Sequence, residues 1–172
     1  GLGLDALGVA MDRGFIVVDE RQQTSIPGIY AIGDVAGAPC LAHKATHEAM
    51  IAAETIAGHF VQGLQRDRIP GCTYSFPQIA SIGLREQDAG DRALRIGRFP
   101  LYANGKAVVS GHTEGMIKTI FDVETGALLG AHLIGDSVTE LIQGFTVAIG
   151  LETTEHELLE TIFPHPTVSE AM

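Results

Sequence analysis

The sequence of 172 residues has only two cysteines, no tryptophan and no excess of basic charge. Its 21 aspartates and glutamates outnumber its 11 lysines and arginines, which gives a formal net charge of −10 at pH 7. This charge argues against nucleic acid and anionic membranes as partners, because both bind basic surfaces. No apolar run approaches the roughly 20 residues that cross a bilayer, and the first residues lack a secretory signal pattern. We therefore expect a cytoplasmic protein that binds neither a membrane nor nucleic acid.

The two cysteines, Cys40 and Cys72, match neither a CxxC redox pair nor a zinc site. Two small buried thiols are a better interpretation than a disulfide. Hydrophobic residues make up 45% of the sequence and charged residues 19%, so the chain has enough apolar material for a core. The 21 glycines fit an α/β protein with tight turns.

The first part of the sequence has an α/β pattern. Residues 14–19, GFIVVD, and residues 29–34, IYAIGD, predict two short buried strands. From Ala42 to about Phe60, small and apolar residues recur every three or four positions, which predicts a helix. The polar segment that ends in Pro70-Gly71 marks a boundary, so we place one domain at residues 1–69 and a second at 70–172. Neither end has a closing element, and we expect a longer parent protein.

The second part has the pattern of a mixed α+β domain. Strands are predicted over residues 74–82 and 94–102, with one or two helical turns over 84–89. A β-hairpin is predicted over 116–134, with Gly126 in the left-handed position of its turn.

Two helices are predicted near the end of the sequence. Ser137 and Glu140 have the spacing of a capping box, ahead of an apolar helical stripe that ends at Gly150. Thr154 and Glu157 repeat that spacing, ahead of a helix that Pro164 stops.

The first candidate site contains Asp34, which follows Gly33 at the end of a predicted strand. A carboxylate in this position can accept hydrogen bonds from sugar-like hydroxyls, although an ordinary turn aspartate is an equal alternative. The segment Cys40-Leu41-Ala42-His43 lies where the long helix begins, so backbone N–H groups and the positive end of the helix dipole point towards it. His43 and His47 have an i, i+4 spacing, but a third ligand is not evident, and no metal site is predicted.

The second candidate site is the segment FPHPTVSE, in which His165 lies between two prolines. An imidazole has an intrinsic pKa of about 6.5, which suits proton transfer near neutral pH. Glu170 could bind one ring nitrogen and leave the other nitrogen available as a base. From these residues alone, a structural histidine in a proline-rich segment is the favoured alternative.

Several of these stretches together resemble one family. TSIPGIYAIGDVAG, residues 24–37, is similar to the second flavin-binding motif of two-dinucleotide-fold flavoproteins. HPTVSE, residues 165–170, is similar to the C-terminal motif of pyridine nucleotide-disulfide oxidoreductases, most closely of the members that oxidise dihydrolipoyl groups. The resemblance covers essentially the whole chain. Gln78 and Phe163 depart from the family pattern, so neither receives a family role.

The resemblance implies a fold and a cofactor. The expected fold is the C-terminal piece of an FAD-binding two-dinucleotide fold, α/β in class, followed by an α+β interface domain with a mixed or antiparallel sheet. Asp34 would hold the ribityl chain of FAD, and the segment Cys40, Leu41, Ala42 and His43 would lie beside its pyrimidine edge. NAD would bind in a separate domain.

The resemblance also implies catalytic roles and partners. In a homodimer, His165 would take a proton from a dihydrolipoyl thiol in the active site of the other subunit, and Glu170 would orient the imidazole. The implied function is reoxidation of dihydrolipoyl groups with NAD⁺ in 2-oxo acid dehydrogenase complexes. The partner would be the dihydrolipoyl domain of an acyltransferase component.

Other functions stay open at this point. The sequence contains neither the GxGxxG motif of the family nor its CxxxxC redox pair, so we expect the chain alone to be inactive. The alternatives are a sister reductase that acts on glutathione, mercuric ion or another disulfide, and a dimerisation module without catalysis. The sequence upstream of Gly1 would separate these alternatives.

Overall fold

The computed structural model describes residues 2–172, which divide after Arg66 into two compact units. The first unit contains the short helix α1 (Leu4–Leu7), the two-stranded ribbon of β1 (Met11–Asp12) and β2 (Phe15–Ile16), and the long helix α2 (Ala42–Ile56). A 3₁₀ turn at Gly33–Ala36 precedes α2. A small core forms around the buried side chains of Val9, Ile16, Ala31 and Ala36.

Three predicted elements of this unit differ in the structure. The buried strand predicted over residues 14–19 is reduced to Phe15–Ile16, and Phe15 and Val17 are 39% and 44% exposed. Residues 29–34 were expected to form a buried strand, but they make only single bridges, such as Gln23 with Tyr30. A strand needs a continuous hydrogen-bonded neighbour, and the described part of the chain provides none for this segment. The helix begins at Ala42 as predicted but ends at Ile56, so that Phe60 is 91% exposed. Gly58, with a φ of +81°, turns the chain away in a conformation that other residues rarely adopt.

The second unit is an antiparallel sheet of five strands in the order β3-β4-β7-β6-β5. Its strands are β3 (Gly71–Thr73), β4 (Gln78–Gly83), β5 (Leu94–Pro100), β6 (Met116–Asp122) and β7 (Leu128–Gly135). Its helices are α3 (Gly105–Ser110), α4 (Val138–Gly150) and α5 (Glu155–Glu160), and a final 3₁₀ turn spans Val168–Ala171. The predicted α+β domain with an antiparallel sheet and its β6–β7 hairpin are confirmed, and Gly126 has a φ of +73°.

The core of the second unit lies between the sheet and α4, which packs against β4 and β7. Val138, Ile142 and Phe145 line the inner face of α4, and Ile117 and Leu133 face them from the sheet. Burial of an aliphatic or aromatic side chain of this size contributes about 1.5–3 kcal/mol to stability. The apolar stripe of α4 was predicted from its period, and it forms the centre of this core.

The sequence missed a break in its first predicted strand of the second unit. Residues 74–77 are not part of a strand but connect β3 to β4. Pro77 lies at the end of this connection, and proline cannot donate the backbone hydrogen bond that a central strand requires. Tyr74 and Phe76 are both exposed, so these two apolar side chains are not buried against the sheet.

The two predicted capping boxes have opposite outcomes. The box at Ser137 and Glu140 is wrong, because Ser137 has a φ of +59° and its hydroxyl donates to Asp136 Oδ2 at 3.0 Å. The box at Thr154 and Glu157 is confirmed, since the Thr154 N–H donates to Glu157 Oε2 at 2.8 Å. Hydrogen bonds from Thr154, chiefly that of its hydroxyl, hold the pKa of the Glu157 carboxyl below its usual value. Residues 2–172 include no helix long and apolar enough to cross a membrane.

Candidate functional site

His165 and Glu170 form a direct pair near the end of the second unit. Nδ1 of His165 lies 2.8 Å from Oε1 of Glu170, and the histidine side chain is 77% exposed. The carboxylate is an acceptor, so it favours the tautomer with the ring proton on Nδ1. In this tautomer Nε2 carries the lone pair and can take a proton from an incoming group. The peptide bond between His165 and Pro166 is cis.

Glu170 is held on both of its carboxylate oxygens. Oε2 accepts a hydrogen bond from the Thr167 N–H at 2.9 Å, while Oε1 meets His165. The Thr167 backbone bond, and then the bond to His165, hold the pKa of the Glu170 carboxyl below its usual value. The carboxylate therefore stays ionised at neutral pH. Thr167 itself is fixed by its hydroxyl, which donates to the Pro164 carbonyl at 2.7 Å.

The sequence reasoning missed Asn104, which supports this segment from the interior. The residue is 3% exposed, and its Nδ2 donates to the Thr167 carbonyl at 3.1 Å. Its Oδ1 accepts from the Ala107 N–H at 3.0 Å and caps α3. One side chain therefore joins the start of a helix to the segment that carries His165. The N-cap spacing of Asn104 and Ala107 was a usable signal for the helix, although not for the contact with Thr167.

The first unit carries the other predicted residues. Asp34 lies exposed in the 3₁₀ turn before α2, and the first helical residues, Ala42 and His43, are exposed too. Leu41 occupies the N-cap position of α2 and makes no side-chain capping bond. The first backbone N–H groups of this 15-residue helix therefore receive no hydrogen bond from the side chain of the N-cap residue.

The prediction of two buried thiols is wrong for Cys40. Cys40 is exposed and Cys72 is partly buried, and both thiols are free. Burial is the main cause that raises the pKa of the Cys72 thiol, which makes that thiol a poor nucleophile. Within residues 2–172, no group of three or more His, Cys, Asp or Glu side chains could hold a metal ion.

A buried ion pair that the sequence reasoning also missed binds the backbone of Gly33, the residue before Asp34. Lys44 and Glu48, one turn apart on α2, have fully buried side chains, with Nζ 2.9 Å from Oε1. The Lys44 ammonium donates to the Gly33 carbonyl at 3.1 Å, and the Gly33 N–H donates to Glu48 Oε2 at 2.7 Å. The i, i+4 spacing of the two charges was visible in the sequence, but such pairs usually lie on the surface of a helix.

Two family models match different parts of the chain. Residues 69–172 match the family model described as the dimerisation domain of pyridine nucleotide-disulphide oxidoreductases. Residues 2–49 match a second model, described as pyridine nucleotide-disulphide oxidoreductase.

Curated relatives cover the whole chain. The dihydrolipoyl dehydrogenases of Zymomonas mobilis and Rhizobium etli are each 59% identical to this chain over 99% of its length. That of Bacillus subtilis is 43% identical over 100% of this chain. The chain spans only 37%, 36% and 37% of these three relatives.

Two solved structures are similar to this chain over nearly all of its length. LpdA from Mycobacterium tuberculosis superposes with a TM-score of 0.94 at 31% identity, over 99% of this chain and 38% of its own. The HOCl-induced flavoprotein disulfide reductase RclA from Escherichia coli superposes with a TM-score of 0.89 at 27% identity, over 98% of this chain and 40% of its own. Because the dimerisation-domain model alone matches more than half of the residues, the chain belongs to the pyridine nucleotide-disulphide oxidoreductase family.

Proposed function

We propose that this chain is the C-terminal part of an NAD⁺-dependent dihydrolipoyl dehydrogenase. Residues 1–69 would complete its FAD-binding region, and residues 70–172 would form its interface domain. The observation that carries this proposal is the contact of 2.8 Å between His165 Nδ1 and Glu170 Oε1, on an exposed segment that can reach a substrate outside its own subunit. Relatives that carry this enzyme name are up to 59% identical to the chain, which favours this activity over a glutathione or mercuric reductase.

The proposed role of the pair is proton transfer from a thiol. A dihydrolipoyl thiol would give its proton to Nε2 of His165, and the ionised carboxylate of Glu170 would stabilise the imidazolium that forms. Thiolates, not thiols, attack disulfides, so removal of this proton prepares the substrate for exchange with a redox disulfide. Glu170 does not exchange the proton in this scheme, because two hydrogen bonds favour its ionised form.

The residues of the first unit fit a flavin. The exposed Asp34 carboxylate can accept hydrogen bonds from the hydroxyls of the ribityl chain. The segment from Cys40 to His43, at the start of α2, would lie beside the pyrimidine edge, where backbone N–H groups and the helix dipole would stabilise negative charge. When bound, FAD would pass the electrons of the thiols to NAD⁺, which would bind outside this chain.

The proposed enzyme acts as a cytoplasmic homodimer. His165 and Glu170 of one subunit would serve the active site of the other, which fits their position on a dimerisation domain. The dihydrolipoyl group would arrive on the lipoyl domain of an acyltransferase component of a 2-oxo acid dehydrogenase complex.

The proposal is tested by completing the chain. The purified chain is expected to be colourless and inactive, because it contains neither GxGxxG for the FAD pyrophosphate nor a CxxxxC pair. A chimera in which it replaces the matching segment of the Zymomonas mobilis relative is expected to bind one FAD and to reduce NAD⁺ with dihydrolipoamide. Absorbance of the flavin and of NADH measures both properties. A folded yellow chimera that turns over glutathione disulfide but not dihydrolipoamide would contradict the proposed substrate.

The second unit is expected to hold the chain in a symmetric dimer. Large apolar side chains stay exposed there, among them Val147 on the outer face of α4 and Leu151 just after it, and such surfaces mark interfaces. Sedimentation at tens of micromolar chain should show a dimer, and Val147→Glu should shift it towards monomer. Ile56→Glu, at an exposed position on α2 of the first unit, is the matched control and should leave the dimer intact. A monomer for the unsubstituted chain would count against this interface.

A further inference from the structure

Lys44 and Glu48 bind both sides of Gly33. Glu48 Oε2 accepts the Gly33 N–H at 2.7 Å, and the Lys44 ammonium binds the Gly33 carbonyl at 3.1 Å. The first contact fixes the peptide plane before Gly33, and the second fixes the plane between Gly33 and Asp34. The charged groups also bind each other, with Nζ 2.9 Å from Oε1 and 3.1 Å from Oε2.

The Gly33 backbone lies close to α2. Its φ of +73° is a conformation that favours glycine, and a Cβ added there would lie 3.4 Å from the Cβ of Ala45 on α2. Asp34 is the next residue, so the direction in which its Cα–Cβ bond leaves the backbone depends on these two peptide planes. Lys44 also belongs to the first turn of α2, so the same pair fixes the helix start relative to Asp34.

Fold stability alone does not account for two buried charges. Removal of an ammonium and a carboxylate from water is costly, and well-packed apolar side chains of similar volume often serve a core as well or better. The pair is neutral overall and fully buried, so it adds no net charge for a ligand. Unlike an apolar pair, Lys44 and Glu48 supply a hydrogen-bond donor and an acceptor to the backbone of Gly33.

We propose that Lys44 and Glu48 are positioning residues of the flavin site, which set the Gly33 peptides so that Asp34 meets the ribityl hydroxyls. This inference depends on the proposed function, because it assigns a purpose to the pair within the flavin site. Neither side chain touches the cofactor in this proposal. Their effect on FAD passes through the backbone of Gly33 and the carboxylate of Asp34.

The test is a thermodynamic cycle on FAD affinity in the chimera with the Zymomonas mobilis segment. Lys44→Met with Glu48→Met removes both charges together and keeps a packed core. It is expected to raise the Kd of FAD roughly 10–100-fold, the ratio that corresponds to one hydrogen bond to a charged group. When Asp34→Ala is already present, the same pair of substitutions should change the Kd by less than about threefold, because coupled residues are not additive.

A second variant and a matched control keep the test decisive. Glu48→Gln retains the shape of the side chain and an acceptor for the Gly33 N–H, so a smaller loss of affinity is expected, again absent in the Asp34→Ala background. Glu54→Gln removes an exposed carboxylate that pairs with His59, also from α2, and should leave the Kd unchanged.

The chain of 172 residues gives a readout that needs no cofactor. The Gly33 amide proton is bound by Glu48 and should exchange slowly with solvent in NMR spectra. In the Lys44→Met, Glu48→Met variant its exchange should accelerate by roughly the same 10–100-fold ratio, while amides of β6 and β7 keep their protection.

The outcomes separate this inference from the proposed function. An unchanged FAD Kd in the double methionine variant, or a full further loss in the Asp34→Ala background, would overturn the positioning role and leave the proposed function intact. Slow exchange of the Gly33 amide without the pair would also overturn it. Failure of the unsubstituted chimera to bind FAD would overturn the proposed function, and this inference with it.

Discussion

His165→Gln is expected to lower the turnover of dihydrolipoamide by the chimera by a factor of about 10²–10⁴, the usual contribution of a positioned acid–base group. Glutamine has a similar reach and can still donate to Glu170, but its amide does not take up a proton near neutral pH. The substitution therefore removes the base while it keeps the hydrogen bond of the segment. Steady-state kinetics with dihydrolipoamide and NAD⁺ measures the loss.

The controls for His165→Gln are its flavin content and its oligomeric state. Flavin content and sedimentation should match the unsubstituted chimera, because the histidine side chain is 77% exposed and supports no core. The pH profile gives a second readout, since the limb that reports the base should disappear. Unaltered turnover in His165→Gln would leave this histidine with a structural role.

Glu170→Gln should lower the turnover of dihydrolipoamide less than His165→Gln does. Its carboxyl pKa is held below the usual value by the Thr167 N–H and by His165, so the folded protein favours the ionised form. The carboxylate thus supports the imidazolium throughout the neutral range, and this support is lost only when the pH falls through the lowered pKa. The amide in Glu170→Gln can still orient the ring but gives no charge support.

The sequence predicted best those features that depend on neighbours along the chain. The β6–β7 hairpin has its turn residues between two apolar runs, and the Thr154–Glu157 box needs only four residues. The pairing of His165 with Glu170 also lies within six residues, and their spacing allows the glutamate to bind a ring nitrogen. Local chemistry is sufficient for such contacts because the backbone between the partners has few alternatives.

Features that depend on distant or buried partners were missed or mistaken. Residues 29–34 have the composition of a strand, but a strand also needs a neighbouring strand to pair with. Lys44 and Glu48 have the spacing of an ordinary surface pair, and only the tertiary fold shows that both are buried beneath Gly33. Ser137 has the correct spacing for a capping box, yet its backbone takes a left-handed conformation that directs the hydroxyl elsewhere.

Asn104→Ala is expected to lower both the stability of the chain and the activity of the chimera. The side chain caps α3 through the Ala107 N–H and binds the Thr167 carbonyl, 63 residues away. Loss of an N-cap costs about 0.5–2 kcal/mol, and loss of the hydrogen bond to the partly buried Thr167 carbonyl costs about 0.5–1.5 kcal/mol. We expect the free energy of unfolding to fall by about 1–3 kcal/mol, as urea denaturation of the chain would measure.

The activity loss follows from the position of Thr167, which binds Glu170 through its N–H and anchors the segment at Pro164. Displacement of a catalytic group by about 1 Å costs roughly 10²-fold in rate, so turnover in Asn104→Ala should fall by a similar factor. Asn104→Ser separates the two roles, because serine still caps a helix but is too short to reach the Thr167 carbonyl. It should recover much of the stability and little of the turnover. Full turnover in Asn104→Ser would show that Asn104 stabilises α3 without positioning His165.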